Sequence, residues 1–119
     1  MDIKVADIVL CEFYFSDLKS SKKRPVLVFK NNLPYNDFVA IPISSKTDNL
    51  RSGEVLLDND SFEHGSIPKT SKLIIRKTFV VSKEVVLKKY GMLKNKSFQN
   101  YHLEFCNYFN CVQNAGLTK

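Results

Sequence analysis

The sequence holds no tryptophan and only three cysteines, Cys11, Cys106 and Cys111. An odd cysteine count without paired spacing argues against a disulfide framework, and with no CxxC there is no zinc-binding pattern. Reduced, buried thiols are the expectation for such a chain, as is a cytoplasmic location. No run of about 18 apolar residues occurs, so no spanning helix is expected. The opening MDIKVADIVLCEF carries Asp2 and Asp7 inside its apolar part and does not read as a signal peptide. There is no internal repeat, linker or low-complexity tract, and 119 residues make one domain, 1–119, on length alone.

What the sequence does hold is aromatic side chains and positive charge. Nine Phe and five Tyr point to an aromatic-rich core. Hydrophobic residues at 44% and charged residues at 25% give an ordinary globular balance. Eighteen Lys and Arg against twelve Asp and Glu leave a net charge of +6 and a pI near 9.3. That surplus favours a polyanionic partner, but does not choose among nucleic acid, anionic membrane and acidic protein.

The most informative stretch is KKRPVLVFKNN, Lys22 to Asn32. Three cations end in Arg24-Pro25, and the continuous run Val26-Leu27-Val28-Phe29 follows, bounded by turn formers. This is the pattern of a buried strand, with Pro25 at its first residue, where a missing N–H costs least. Pro25 also restricts Arg24 to extended backbone, so the guanidinium sits on a stiff support.

Other strands are expected over Asp7 to Phe13, Phe38 to Ile43, Glu54 to Leu57 and Lys72 to Val81. Pro42 inside the Phe38 to Ile43 segment predicts an edge or a bulge. Ser16 to Lys23 and Phe62 to Thr70 read as loops, and Asn31 to Asn36 as a turn. Ser82, with Glu84 behind it, Lys88 and Lys89 later and Gly91 as a stop, predicts a helix, with a short strand at Gly91 to Leu93. Ser97 predicts the cap of a final helix over Phe98 to Asn114. Phe98, Tyr101, Phe105, Tyr108, Phe109 and Val112 form its apolar stripe, and Gly116 ends it. The class is mainly β with helices (α+β), an antiparallel barrel with helical decoration.

Five segments in order carry a family resemblance: ADIVLCEFYFSD, KKRPVLVFKNN, AIPISSKT, GEVLLD and SKLIIRKTFVVSKEVVLKKYGML. Together they resemble the PemK/MazF toxins of bacterial type II toxin–antitoxin systems, over most of the chain up to Leu93. The resemblance implies an SH3-like barrel with a C-terminal helix, a homodimer, and a sequence-selective endoribonuclease that cuts mRNA without metal or cofactor and is neutralised by an acidic antitoxin. Arg24 falls on the family's catalytic arginine, and Ser44 on its catalytic threonine or serine. In the fifth segment, an arginine and an acidic residue two apart in some members are replaced by Ile74 and Arg76.

Cleavage without metal requires the neighbouring 2′-hydroxyl to attack phosphorus while the protein offsets charge on the phosphate oxygens. An arginine fork suits that task, and a serine hydroxyl can donate alongside it. Lys22, Lys23, Lys46 and Lys69 are candidates for an RNA track, with Ser45, Thr47, His64 and Arg76 completing the binding set. The general base is open among His64, Glu12 and Asp17, while His102 is expected to be structural. Tyr14, Tyr35 and Phe62 are candidates for stacking on unpaired bases. A basic barrel that binds nucleic acid or a peptide without cleaving, and a purely structural module, are the competing expectations.

Overall fold

The run Val26 to Phe29 is continuous because both of its faces are covered. In the computed structural model, which describes residues 2–14 and 19–111, it lies in the longest strand. The strands are β1 (Asp7–Tyr14), β2 (Ser21–Leu33), β3 (Asp37–Ser44), β4 (Glu54–Leu57), β5 (Phe62–Gly65), β6 (Ser71–Ile74), β7 (Phe79–Ser82) and β8 (Val86–Leu93). One helix follows, α1 (Asn95–Phe109). Alternate residues of β2 enter two different cores. Leu27 and Phe29 join Ile8, Ile41, Ile43, Leu57 and Leu73 beneath α1, whereas Val26 and Val28 join Ile3, Val9, Cys11, Phe38 and Ala40 on the other face. Each fully buried Val, Leu, Ile or Phe among them stabilises the fold by about 1.5–3 kcal/mol.

The strands form one sheet in the order β4-β6-β3-β2-β1-β8-β5, with β7 also paired to β3, and every pairing is antiparallel. The edge strands β4 and β5 are joined by a single 3-10 turn, Asn59–Ser61. The sheet therefore curls until its two edges approach, and it closes over the larger core as the expected mainly β barrel.

The chain departs from expectation in several places. Ser82 does cap, its hydroxyl accepting from the Glu84 amide at 3.1 Å, but it starts only the 3-10 turn Lys83–Val85. No helix runs to Gly91. The following residues form β8, drawn between β1 and β5 because pairing there satisfies the backbone of three strands, which outweighs local propensity. The Phe62 to Thr70 loop begins with β5, and Ser21 to Lys23 belong to β2 rather than to a loop. Ser16, Asp17 and Leu18 of that expected loop lie outside the described residues.

Neither proline is a strand end or an edge. Pro25 lies inside β2, one residue beyond the last pair with β3, so on that side the ladder has already ended. Pro42 lies in a central strand, between Ala40, the last residue opposite β7, and Ile43, the first opposite β6. A missing N–H is tolerated where a strand changes partner.

The helix begins at Asn95 with Lys94 before it and no side-chain cap, which places Ser97 inside the first turn. Asn110 takes the left-handed conformation at φ 54° and ends it, earlier than Asn114 or Gly116, which lie outside the described residues with Val112. The apolar stripe does pack on the sheet. Phe29 contacts the rings of Phe98 at 5.7 Å, His102 at 5.2 Å and Phe105 at 4.5 Å between centroids. The Tyr101 hydroxyl donates to the Leu56 carbonyl at 2.9 Å and pairs with the Ser61 hydroxyl at 3.2 Å, fastening α1 to β4 and to the turn that joins β4 to β5.

Candidate active site

The groove arises where two strands part. β2 and β3 pair from Leu33 opposite Asp37 to Val26 opposite Pro42, and no further. Beyond that point β2 continues along β1, to Ser21 opposite Tyr14, while β3 continues along β6, to Ser44 opposite Lys72. Held by different neighbours, the two ends diverge, and a cavity of about 430 Å³ opens between them. One wall is Lys22, Lys23, Arg24 and Pro25, and the other is Ile43, Ser44, Ser45 and Lys46. Ile67, Pro68, Lys69, Ser71 and Tyr90 complete it.

Arg24 and Ser44 correspond across this notch. Paired positions of β2 and β3 sum to a constant here, 26 with 42 and 27 with 41, and the same register carried two residues outward sets 24 against 44. Arg24 is half-buried, on extended backbone braced by Pro25 and by Cys11 opposite it on β1. The Ser44 hydroxyl accepts from the Lys46 amide at 3.2 Å, which closes a local turn and leaves its proton available for donation.

Among the described residues the charge of the lining is of one sign: five cations, Lys22, Lys23, Arg24, Lys46 and Lys69, and no carboxylate. Such a cleft concentrates field lines and attracts anions, and an arginine fork beside a hydroxyl suits a tetrahedral phosphate. Cys11 supplies no nucleophile, because burial pushes its thiol up to about 12 and keeps it protonated.

Not every residue expected at the site is brought there. Thr47 is adjacent in sequence to Lys46 but is not in the lining. His64 is exposed on the edge strand β5, opposite Met92, also away from the lining. Arg76 is committed elsewhere. Its guanidinium meets the Glu54 carboxylate at 2.9 Å and 3.1 Å, and Lys72 meets the same carboxylate at 2.8 Å. Glu54 is buried, and these partners, Lys72 first, hold its carboxyl down to about 2.

Of the other general-base candidates, Glu12 accepts from the Ser21 hydroxyl at 2.6 Å and lies opposite Lys23, and Asp17 is outside the described residues. Among the stacking candidates, Phe62 is core. Tyr35 is 92% exposed at the far tip of the β2–β3 hairpin. At roughly 3.3 Å per residue along β2 it lies about 30 Å from Arg24. Tyr90 and the Ile67-Pro68 wall were not legible as site residues, because their approach to the groove depends on β8 pairing with β1.

The fold has known counterparts. Residues 4–109 match the family of PemK-like, MazF-like toxins of type II toxin–antitoxin systems. The chain belongs to that family. No curated protein matches it by sequence. A mycobacterial endoribonuclease solved with its cognate antitoxin shares its fold at a TM-score of 0.67 and 15% identity, over 94% of this chain and 99% of that one. The Mycobacterium tuberculosis toxin MazF-mt6 does so at 0.64 and 17%, over 88% and 99%. A further mycobacterial endoribonuclease does so at 0.69 and 12%, over 93% and 94%. At such identities the likeness is one of fold.

Proposed function

We propose that this toxin-family chain is an endoribonuclease that cleaves single-stranded RNA by attack of the 2′-hydroxyl on the adjacent phosphate. The observation that carries this is the placement of Arg24 and Ser44 on facing walls of one groove whose charged groups are all cationic. The substrate brings its own nucleophile, so the protein's work is positioning and charge. Arg24 would fork onto the two non-bridging oxygens, and Ser44 would donate to one of them as negative charge grows in the transition state. Lys22, Lys23, Lys46 and Lys69 would carry the flanking phosphates, and Ser45 the strand beside Ser44.

The likeness to an endoribonuclease solved with its antitoxin supports an acidic antitoxin segment as the natural inhibitor of the same groove. A homodimer is part of the same proposal. The test is incubation of purified protein with RNA of diverse sequence in excess EDTA, with product ends identified. Products ending in a 2′,3′-cyclic phosphate are expected, and Arg24→Ala should slow their formation by about 100-fold or more while remaining folded. Absence of cleavage across all RNAs would refute it. Binding without cleavage is the alternative, favoured by a lining that, among the described residues, holds no carboxylate or imidazole to act as base. Tight, salt-sensitive binding with no products would select it.

A further inference from the structure

Lys22 and Arg24 border two cavities. Besides the cationic groove they line a second, of about 310 Å³, with Phe13, Val26, Pro42 and Phe79. Lys22, Arg24 and Val26 alternate along β2 and so share one face of the strand. Phe13 stands opposite Lys22 on β1, Pro42 opposite Val26 on β3, and Phe79 comes from β7. The walls are therefore apolar and aromatic, and among the described residues the only charged groups, Lys22 and Arg24, are the two that also line the groove. Phe13 and Phe79 meet edge to face, with centroids 5.7 Å apart and planes at 62°. Both rings line the cavity and are only partly buried.

We infer that this cavity holds an unpaired nucleobase of the nucleotide whose phosphate rests on Arg24. The inference rests on the RNA-cleaving function proposed above and adds a subsite to it. A nucleotide carries an anion and a flat, weakly polar ring on one sugar. A cationic slot and an aromatic slot sharing a single arginine wall match that pairing within one monomer unit. Apart from the two cations, every lining side chain is a hydrocarbon. The pocket accordingly recognises a base by its face rather than its edge, and tolerates all four, preferring purines for their larger stacking area.

Phe13 and Phe79 both pack against the smaller core, so alanine at either threatens the fold. The decisive variants are Phe13→Leu, which keeps an apolar side chain but has no ring, and Phe13→Tyr, which keeps the ring. The probes are a 2′-O-methyl oligonucleotide of mixed sequence, which offers no free 2′-hydroxyl, and an abasic oligonucleotide with the same backbone. Affinities are read by fluorescence anisotropy at fixed salt. Wild type and Phe13→Tyr should prefer the base-bearing strand. Phe13→Leu should lose about tenfold on that strand, in the range of one stacked base, and nothing on the abasic strand. Equal losses on both strands, or no loss on either, would overturn the subsite while leaving the cationic groove and its function standing. Loss of binding to an acidic antitoxin peptide alone, with both oligonucleotides unaffected, would reassign the cavity to the inhibitor and also overturn it. Failure of wild type to bind either strand would remove the RNA function itself, and the subsite with it.

Discussion

The salt dependence of RNA binding tests the groove most directly, because its size follows from a count of side chains. Five cations line the cavity, Lys22, Lys23, Arg24, Lys46 and Lys69. If each neutralises one phosphate of a single strand, log K should fall with log salt at a slope of about −0.7 per contact, or about −3.5 for one groove. Affinity would then drop about 100-fold between 50 and 200 mM salt. Lys69→Ala should reduce the slope to about −2.8, and by the same amount for every RNA sequence, since a phosphate contact carries no base information. Arg76→Ala is the control. Arg76 carries the same charge but is spent on Glu54 outside the groove, so its removal should leave the slope unchanged. The assay is anisotropy titration of a short 2′-O-methyl strand over a tenfold range of salt. A wild-type slope near zero, or an Arg76→Ala effect equal to that of Lys69→Ala, would refute the placement of the RNA track.

Other outcomes follow from the scaffold. The Glu54 carboxyl is held at about 2 against its ordinary 4.5, chiefly by Lys72. A depressed folded-state value means that this contribution is complete above about 4.5 and is lost as pH falls toward 2. The urea midpoint of wild type should fall more steeply across that window than that of Glu54→Gln, and parallel curves would contradict it. Tyr101→Phe leaves the Leu56 carbonyl without its donor and should cost about 1 kcal/mol in urea denaturation, with an unchanged helix signal. No loss would show that the tie between α1 and β4 is made by packing alone. Gly65→Ala should destabilise by more than about 1 kcal/mol. Gly65 has φ +78°, and a Cβ there would run into the Tyr90 carbonyl and Gly91 backbone. A variant as stable as wild type would refute the close approach of β5 to β8.

The elements that could be read from the sequence are those whose cause is local. The Val26 to Phe29 run announced a strand covered on both faces, and the spacing of Phe98, Tyr101 and Phe105 announced a helix lying on it. The Ser82 segment misled for an equally physical reason. Its capping chemistry is real and is used, but one 3-10 turn satisfies it, and the identity of the next eight residues is decided by β1 and β5, distant in sequence. Arg24 and Ser44 were singled out from their neighbours and from the family pattern. That they stand within reach of one another was expected from the family pattern, but its cause, the point where β2 and β3 stop pairing, was not legible. Arg76 illustrates the converse: a cation in a promising segment whose burial partner, Glu54, is twenty-two positions away.

The notch between β2 and β3 also bears on how quickly a ligand could be accepted. Its facing side chains, Arg24 and Ser44, are borne by strands that are each clamped from outside, one by β1 and the other by β6. The strand segments that carry these two side chains are already paired before an incoming strand arrives, so their backbone surrenders little freedom on docking. A receptor of this kind behaves as a rigid jaw set at one gape, and its selectivity falls on the shape of the guest rather than on any motion of the host.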